Sequence, residues 1–423
     1  MALLKPLESL DASHGRVRPG DKQTMAMIAG ASQPASVAPA GQARRALNGA
    51  SLAHALHDGY TDLTLVMLPV WQAEFGLGYG ALAGLRGLYA GAMAALQMPS
   101  VRLAERLGGR AVLVAGTVLA AIGYALAGLS GGLLGLCAAL ALSGAGSGTQ
   151  HPLASAAVAH AYGGAARGPL GVYNFAGDLG KAALPALAAL LLTFMPWRPA
   201  LWLLALVGLL TAAAVWAMVP RFGGAEPAVE KPARGAGRGG FGLLLAIGMI
   251  DTGVRMGFLI FLPFLLQAKG ADLALIGAAL TLVFLGGAAG KFACGWLGAR
   301  FGLLPTVLAT EIGTALAILA VLALPLVATL VLLPLLGALL NGTSSILYGT
   351  VPELAPPGRV ERSFAVFYTG VIGSGALSPV LYGLIGDAAG PAWGTVATAG
   401  AALATCPLAV LLAPRLPTRP SLP

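Results

Sequence analysis

Charge is what this 423-residue chain has least of: Asp, Glu, Lys and Arg make up only 10% of it, where a soluble domain carries roughly 25%. With 57% hydrophobic residues and a mean hydropathy of +0.82, a soluble fold would expose apolar surface that water could not wet. Cysteine is scarce as well. Cys137, Cys294 and Cys406 lie singly in separate apolar runs, which excludes a disulfide framework or a thiolate metal site and leaves small buried hydrophobes. No phosphate-binding loop is present, which argues against ATP as the direct energy source. No Ser-His-Asp elbow or closed ligand set is present either, so an enzyme is not expected, nor a cofactor or metal. Residues 1–45 hold no continuous apolar core and do not form a cleaved signal peptide. They are expected to be a disordered cytoplasmic tail, with Met25 or Met27 as alternative starts.

Long apolar runs are what the chain does have. A membrane-spanning helix needs about 20 mostly apolar residues. Twelve runs qualify, at about 48–72, 79–103, 111–129, 132–161, 168–192, 198–219, 241–267, 273–297, 303–324, 327–351, 363–386 and 391–413. The longest polar break, 220–240, divides them six and six. The expected fold is therefore an all-α membrane protein with a tail at 1–47, a bundle at 48–219, a linker at 220–240, a second bundle at 241–413 and a tail at 414–423. The 61 glycines suit helices that pack closely through small side chains.

Lys and Arg set the orientation. With the N-terminus inside, the outside loops carry only Arg198 and Lys269, four more (Arg86, Lys181, Arg255, Lys291) fall within spans, and the other 19 of the 25 lie inside. This places both termini in the cytoplasm of a multi-pass protein of the bacterial inner membrane. The net charge of +9 thereby reads as topology and not as a nucleic-acid surface.

The halves superpose with a constant shift of 194 residues. Leu68-Pro69 falls on Leu262-Pro263, Gly76 on Gly270, Arg106 and Gly108 on Arg300 and Gly302, and Pro185 on Pro379. Six helices per half make the repeat parallel, about an axis along the membrane normal, with a substrate site expected between the halves near mid-depth.

The loop after the second span reads Leu103-Ala-Glu105-Arg106-Leu-Gly108-Gly109-Arg110, and its partner after the eighth reads Gly295-Trp-Leu-Gly-Ala299-Arg300-Phe-Gly302. Together they resemble the cytoplasmic loop signature of the major facilitator superfamily. The first copy keeps the acid before its Arg and the second has Ala299 instead. The resemblance implies gating by Glu105, Arg106, Arg110 and Arg300, the acid pairing with an Arg or capping a helix across the halves. Within that superfamily, His54, His57-Asp58, Gln72-Ala-Glu74-Phe75, Gly144-Ala-Gly-Ser147, His151-Pro152 and Glu353-Leu-Ala-Pro356 are similar to the fosmidomycin resistance protein group. This implies a proton-driven efflux permease, although Arg86, Asp178, Lys181 and Lys291 depart from the neutral residues expected there.

An ionisable residue in the bilayer costs at least ~2.5–3.5 kcal/mol on insertion scales, so it faces the interior and finds a partner. His54, Asp58 and Asp62 follow one another at four-residue spacing on one helix stripe. Asp58 lies about 15 Å in from residue 48, at a depth similar to His151. His54, Asp58 and His151 are the candidate proton-coupling residues, since histidine titrates near neutrality. A static His–Asp bond and a weak transition-metal set that adds His57 are the alternatives. Arg86, Tyr173, Asn174, Arg255, Asn341 and Tyr348 are the candidate substrate-binding residues. Unpaired central cations would favour an anionic or zwitterionic solute. Internal pairs, Asp178 with Lys181 and Asp251 with Arg255, would leave little free charge, and Lys291 could reach Glu311. Trp71, Trp197 and Trp393 are expected as interface anchors. The expected function is proton-coupled efflux of a small drug or metabolite by alternating access of a monomer. A proton-linked importer of an organic anion, or a receptor on the same fold, stands as the alternative.

Overall fold

The computed structural model describes residues 39–222, 240–356 and 360–416, so most of the tail 1–47, the linker 220–240 and the tail 414–423 lies outside the described residues. Those that are described form helices throughout. The first half comprises α1 (Ala40–Phe75), α2 (Tyr79–Leu107), α3 (Gly109–Ala127), α4 (Leu133–Ser147), α5 (Gln150–Tyr162), α6 (Arg167–Phe194) and α7 (Trp197–Met218). The second comprises α8 (Phe241–Ala268), α9 (Leu273–Phe301), α10 (Leu303–Ala323), α11 (Leu326–Leu354), α12 (Val360–Ala389) and α13 (Pro391–Leu412).

Two elements differ from the sequence expectation. The first helix begins at Ala40 and not at 48. The expected single span 132–161 is broken at Gly148-Thr149 into α4 and α5. Gly148 packs so tightly that an added Cβ would lie 2.7 Å from the Met93 carbonyl oxygen. Nine helices among the described residues are long and apolar enough to cross a membrane. The others are α1 and α2, which are long enough but less apolar, and the broken pair α4–α5. The first-half helices thus lose apolarity where they carry the His, Asp and Arg residues of the interior.

The 194-residue repeat governs the backbone. Gly76 and Gly270 both turn the chain with positive φ, as do Gly108 and Gly302, a conformation that costs other residues a Cβ clash. The packing repeats too. Inside the halves, α1 packs on α6 and α8 on α12; α3 packs on α7 and α10 on α13; α2 packs on α4 and α9 on α11. Between the halves, α2 meets α12 and α6 meets α9. Advancing α2 by one repeat gives α9, and advancing α6 gives α12, so a two-fold axis exchanges the two contacts.

Buried apolar side chains reveal how the halves meet. At the end carrying the turns 76–78 and 269–272, one cluster draws on both halves, from Leu63, Leu68 and Trp71 of α1 to Phe258, Phe261 and Leu266 of α8. At the end carrying Ala40 and Leu412, two separate clusters form. One holds Ala50, Ala104, Val112 and Val215 of the first half; the other holds Leu244, Val307, Val351 and Leu412 of the second. The halves are therefore sealed together at the turn end and parted at the terminal end. Trp71 and Trp197 belong to the seal, being 0% and 6% exposed, which corrects the expectation of interface anchors; Trp393 is exposed. Leu134, Phe194, Phe292 and Val331 project outward, the side-chain chemistry that acyl chains solvate.

Candidate functional site

Close approach of α1 to α6 builds the site. An added Cβ on Gly180 would lie 1.9 Å from the Ala55 carbonyl oxygen, and one on Gly177 would lie 2.6 Å from His54 Nε2. Glycine at both positions lets the acidic stripe of α1 sit directly against α6.

Asp58 is the hub. Its Oδ2 lies 3.3 Å from His54 Nε2 and 3.2 Å from Lys181 Nζ, and its Oδ1 lies 3.6 Å from His151 Nε2. Three helices, α1, α5 and α6, thus converge on one carboxylate that is 7% exposed. His54 Nδ1 donates to the Tyr173 carbonyl oxygen at 2.9 Å. A carbonyl can only accept, so this bond fixes the proton on Nδ1 and turns Nε2 toward Asp58. The Tyr173 ring stacks on the imidazole at 4.2 Å, and Gln150 Nε2 donates to the Tyr173 hydroxyl at 2.7 Å. Tyr173 is 3% exposed. It therefore orients His54 and does not face the cavity as a substrate-binding residue would.

His57, one helical step away, has a different environment. Its Nε2 donates to Thr117 Oγ1 at 3.1 Å, which itself donates to the Leu113 carbonyl. Its Nδ1 accepts from Ser147 Oγ at 2.9 Å, and Tyr89 donates to that hydroxyl at 2.8 Å. Both ring nitrogens are satisfied with the ring neutral. His57 ties α1 to α3 and α4 and takes no part in the Asp58 cluster.

Ion pairs extend the network into the second half. Lys291 of α9 donates to Asp178 of α6 at 2.6 Å, while Lys181 lies 3.8 Å from the same Asp178 oxygen. Lys291 therefore does not meet Glu311. Arg86 pairs with Asp62 and also points NH1 at Met256 Sδ, 3.2 Å away across the halves. At 5% exposure it is a structural pair, not a free substrate-binding cation. Arg255 forms no pair with Asp251; its guanidinium donates weakly, at 3.4 Å each, to Asn341 Oδ1 and Thr252 Oγ1. Asn174 is exposed one turn before Asp178, and Tyr348 packs its ring on Phe367 and Tyr368.

The loop residues implied by the resemblance stay apart. Arg110 lies over the Trp216 ring at 4.3 Å, and Arg300 lies 5.7 Å from the Trp296 ring, each within its own half. Glu105 and Arg106 are exposed, and among the described residues no ion pair joins these four to the opposite half. Parting of the halves at that end is the reason. At the sealed end the link is Asp387 of α12, which sequence reasoning missed. Its carboxylate accepts from the backbone N–H groups of Tyr79 at 2.6 Å and Gly80 at 2.9 Å, capping α2 across the halves.

Donor atoms of His54, Asp58 and His151 lie within 4.8 Å of one another, near enough to share a metal ion. Lys181 already brings a positive charge to that carboxylate, which opposes a second cation.

The model of the major facilitator superfamily matches residues 50–245 and again 243–423. The chain belongs to the major facilitator superfamily. As a superfamily member it is a multi-pass membrane transporter and not an enzyme. No curated protein sequence matches it. Its fold is similar to a bacterial homologue of the human lysosomal transporter Spinster in an inward-facing, unoccupied conformation, with a TM-score of 0.73 at 16% identity over 89% of this chain and 98% of that one. It is also similar to the peptide transporter POT in complex with sulfate, with a TM-score of 0.71 at 14% identity over 88% and 94% of the two chains. A single-residue mutant of POT in complex with alafosfalin gives 0.69 at 12% identity, over 88% and 96%.

Proposed function

We propose that this transporter exports a small anionic or zwitterionic solute in exchange for protons, alternating between two open states, and that Asp58 with His54 and His151 binds the coupling proton. The observation that carries this is the His54 geometry. With Nδ1 committed to a backbone carbonyl, Nε2 faces a carboxylate oxygen at 3.3 Å. A lone pair there repels the carboxylate; a proton there bonds to it. The site is thus set up to hold one proton more than a neutral imidazole carries.

Protonation has a route to the conformation. Asp58 holds Lys181, Lys181 neighbours Asp178, and Asp178 holds Lys291 of the opposite half. Neutralising Asp58 releases Lys181, which then competes with Lys291 for Asp178. An anionic group in the cavity, reached by Lys181, Lys291 and Arg255, would do the same from the other side. Lys291 lies within electrostatic reach of both other cations. The resemblance to the fosmidomycin resistance group makes phosphonates the first solutes to test. The parted terminal end is read as the cytoplasmic one, so this state is inward-open, and the chain works as a monomer in the bacterial inner membrane.

A thermal-shift screen of phosphonates and organic acids identifies a ligand. That ligand is then followed in proteoliposomes under an imposed pH gradient. Asp58→Asn is expected to bind it and to lose gradient-driven movement. Full activity of Asp58→Asn would discard the proton site. The sign of proton movement on adding ligand separates export from import.

A further inference from the structure

A second pair of acids lies within the second half. Asp251 of α8 and Glu311 of α10 are 4% and 1% exposed, and the two carboxyl groups lie within electrostatic reach of each other. Two carboxylates offer only acceptors, so a bond between them requires a proton on one. Glu311 Oε1 is buried and accepts from no protein donor.

Among the described residues, counter-charges are short here and nowhere else at this depth. Asp58 has Lys181, Asp62 has Arg86 and Asp178 has Lys291. Asp251 and Glu311 together have only Arg255, whose guanidinium donates to Asn341 and Thr252 and forms no ion pair. The other polar or titratable groups near the pair are Thr343 and Tyr348 of α11 and Thr405 and Cys406 of α13. All are neutral. Two ionised carboxylates in such surroundings would leave one buried charge uncompensated, a large cost.

We infer that Asp251 and Glu311 form a proton-binding site, separate from Asp58, that holds one shared proton in the state described. The proton supplies the missing positive charge and the missing donor together, joining α8 to α10 inside the half that rocks against the first. Its occupancy is independent of the Asp58 proposal; its use in transport rests on that proposal.

Infrared spectroscopy of the purified full-length protein in lipid nanodiscs tests it. At neutral pH the wild type is expected to give a protonated-carboxyl C=O band that shifts in heavy water. Asp58→Asn keeps that band. Glu311→Gln loses it, because Asp251 can then ionise against Arg255. Asp251→Asn keeps it at a shifted frequency, because Glu311 becomes a lone buried acid. Should Glu311→Gln fail to fold, the shift in Asp251→Asn carries the decision. Absence of the band in the wild type overturns the inference. So does a band unaltered by both variants, or one that disappears when sodium replaces choline at constant pH, which would make the bound cation sodium. Because the readout is spectroscopic, failure here leaves the Asp58 transport test intact, and the reverse holds.

Discussion

Lys291 of α9 reaches across the boundary between the halves to donate to Asp178 of α6 at 2.6 Å. Among the described residues it is the ion pair that joins the two bundles, whose other mid-depth ion pairs, Asp58 with Lys181 and Asp62 with Arg86, close within one half. Because Lys181 borders the same carboxylate, the bond can be exchanged without leaving Asp178 alone.

A charge swap tests that link. Lys291→Asp and Asp178→Lys are each expected to lower the melting temperature and slow transport. The double variant is expected to recover part of both. The coupling energy is expected at about 1 kcal/mol, small because Lys291 is partly exposed. Additive losses in a double-mutant cycle by thermal unfolding would contradict it.

His54 and His57 are expected to separate function from stability. His54→Gln should leave the melting temperature within a few degrees of the wild type and lose coupling to the pH gradient. His57→Gln should keep coupling in the folded fraction and lower stability by about 1–2 kcal/mol, because it breaks the ties to Ser147 and Thr117. Unfolding curves and proteoliposome assays on both variants check this.

Asp387 caps α2 only while the turn end is sealed. Asp387→Ala should cost that state about 1 kcal/mol, roughly a fivefold shift of population toward opening at that end. Asp387→Asn, itself a good cap, should shift it less. Spin-label distance distributions between the turns 76–78 and 269–272 read the population directly.

Gly180→Ala should force α1 from α6. An added Cβ lies 1.9 Å from a backbone oxygen, which no rotamer change relieves. A loss of about 1–3 kcal/mol is expected. With it should go weaker ligand binding, since Lys181 meets Asp58, and Tyr173 meets His54, only through this contact. An unchanged melting temperature would show that the helices tolerate separation.

Two half-molecules, most of their helices and the equivalent glycine turns were legible in the chain, the break at Gly148-Thr149 being the exception. Apolar runs of about 20 residues, a 194-residue shift and glycines at equivalent turns are local properties. Lipid leaves a backbone only the helix or the closed barrel, and apolar runs of this length choose the helix. The stripe of His54, Asp58 and Asp62 was legible for the same reason, because four-residue spacing fixes a helix face.

Partner choice was not legible. Sequence neighbours suggested Asp251 with Arg255, yet Asp251 faces Glu311 sixty positions on, and the Asp178–Lys291 contact spans 113. Nor could spacing tell His57, spent on two hydroxyls, from His54 three positions earlier, or say which end of the molecule is closed. Periodicity tells which way a side chain points from its own helix axis. What it meets there depends on which helices pack together and how closely, and that is settled by glycine contacts and by how the two halves meet.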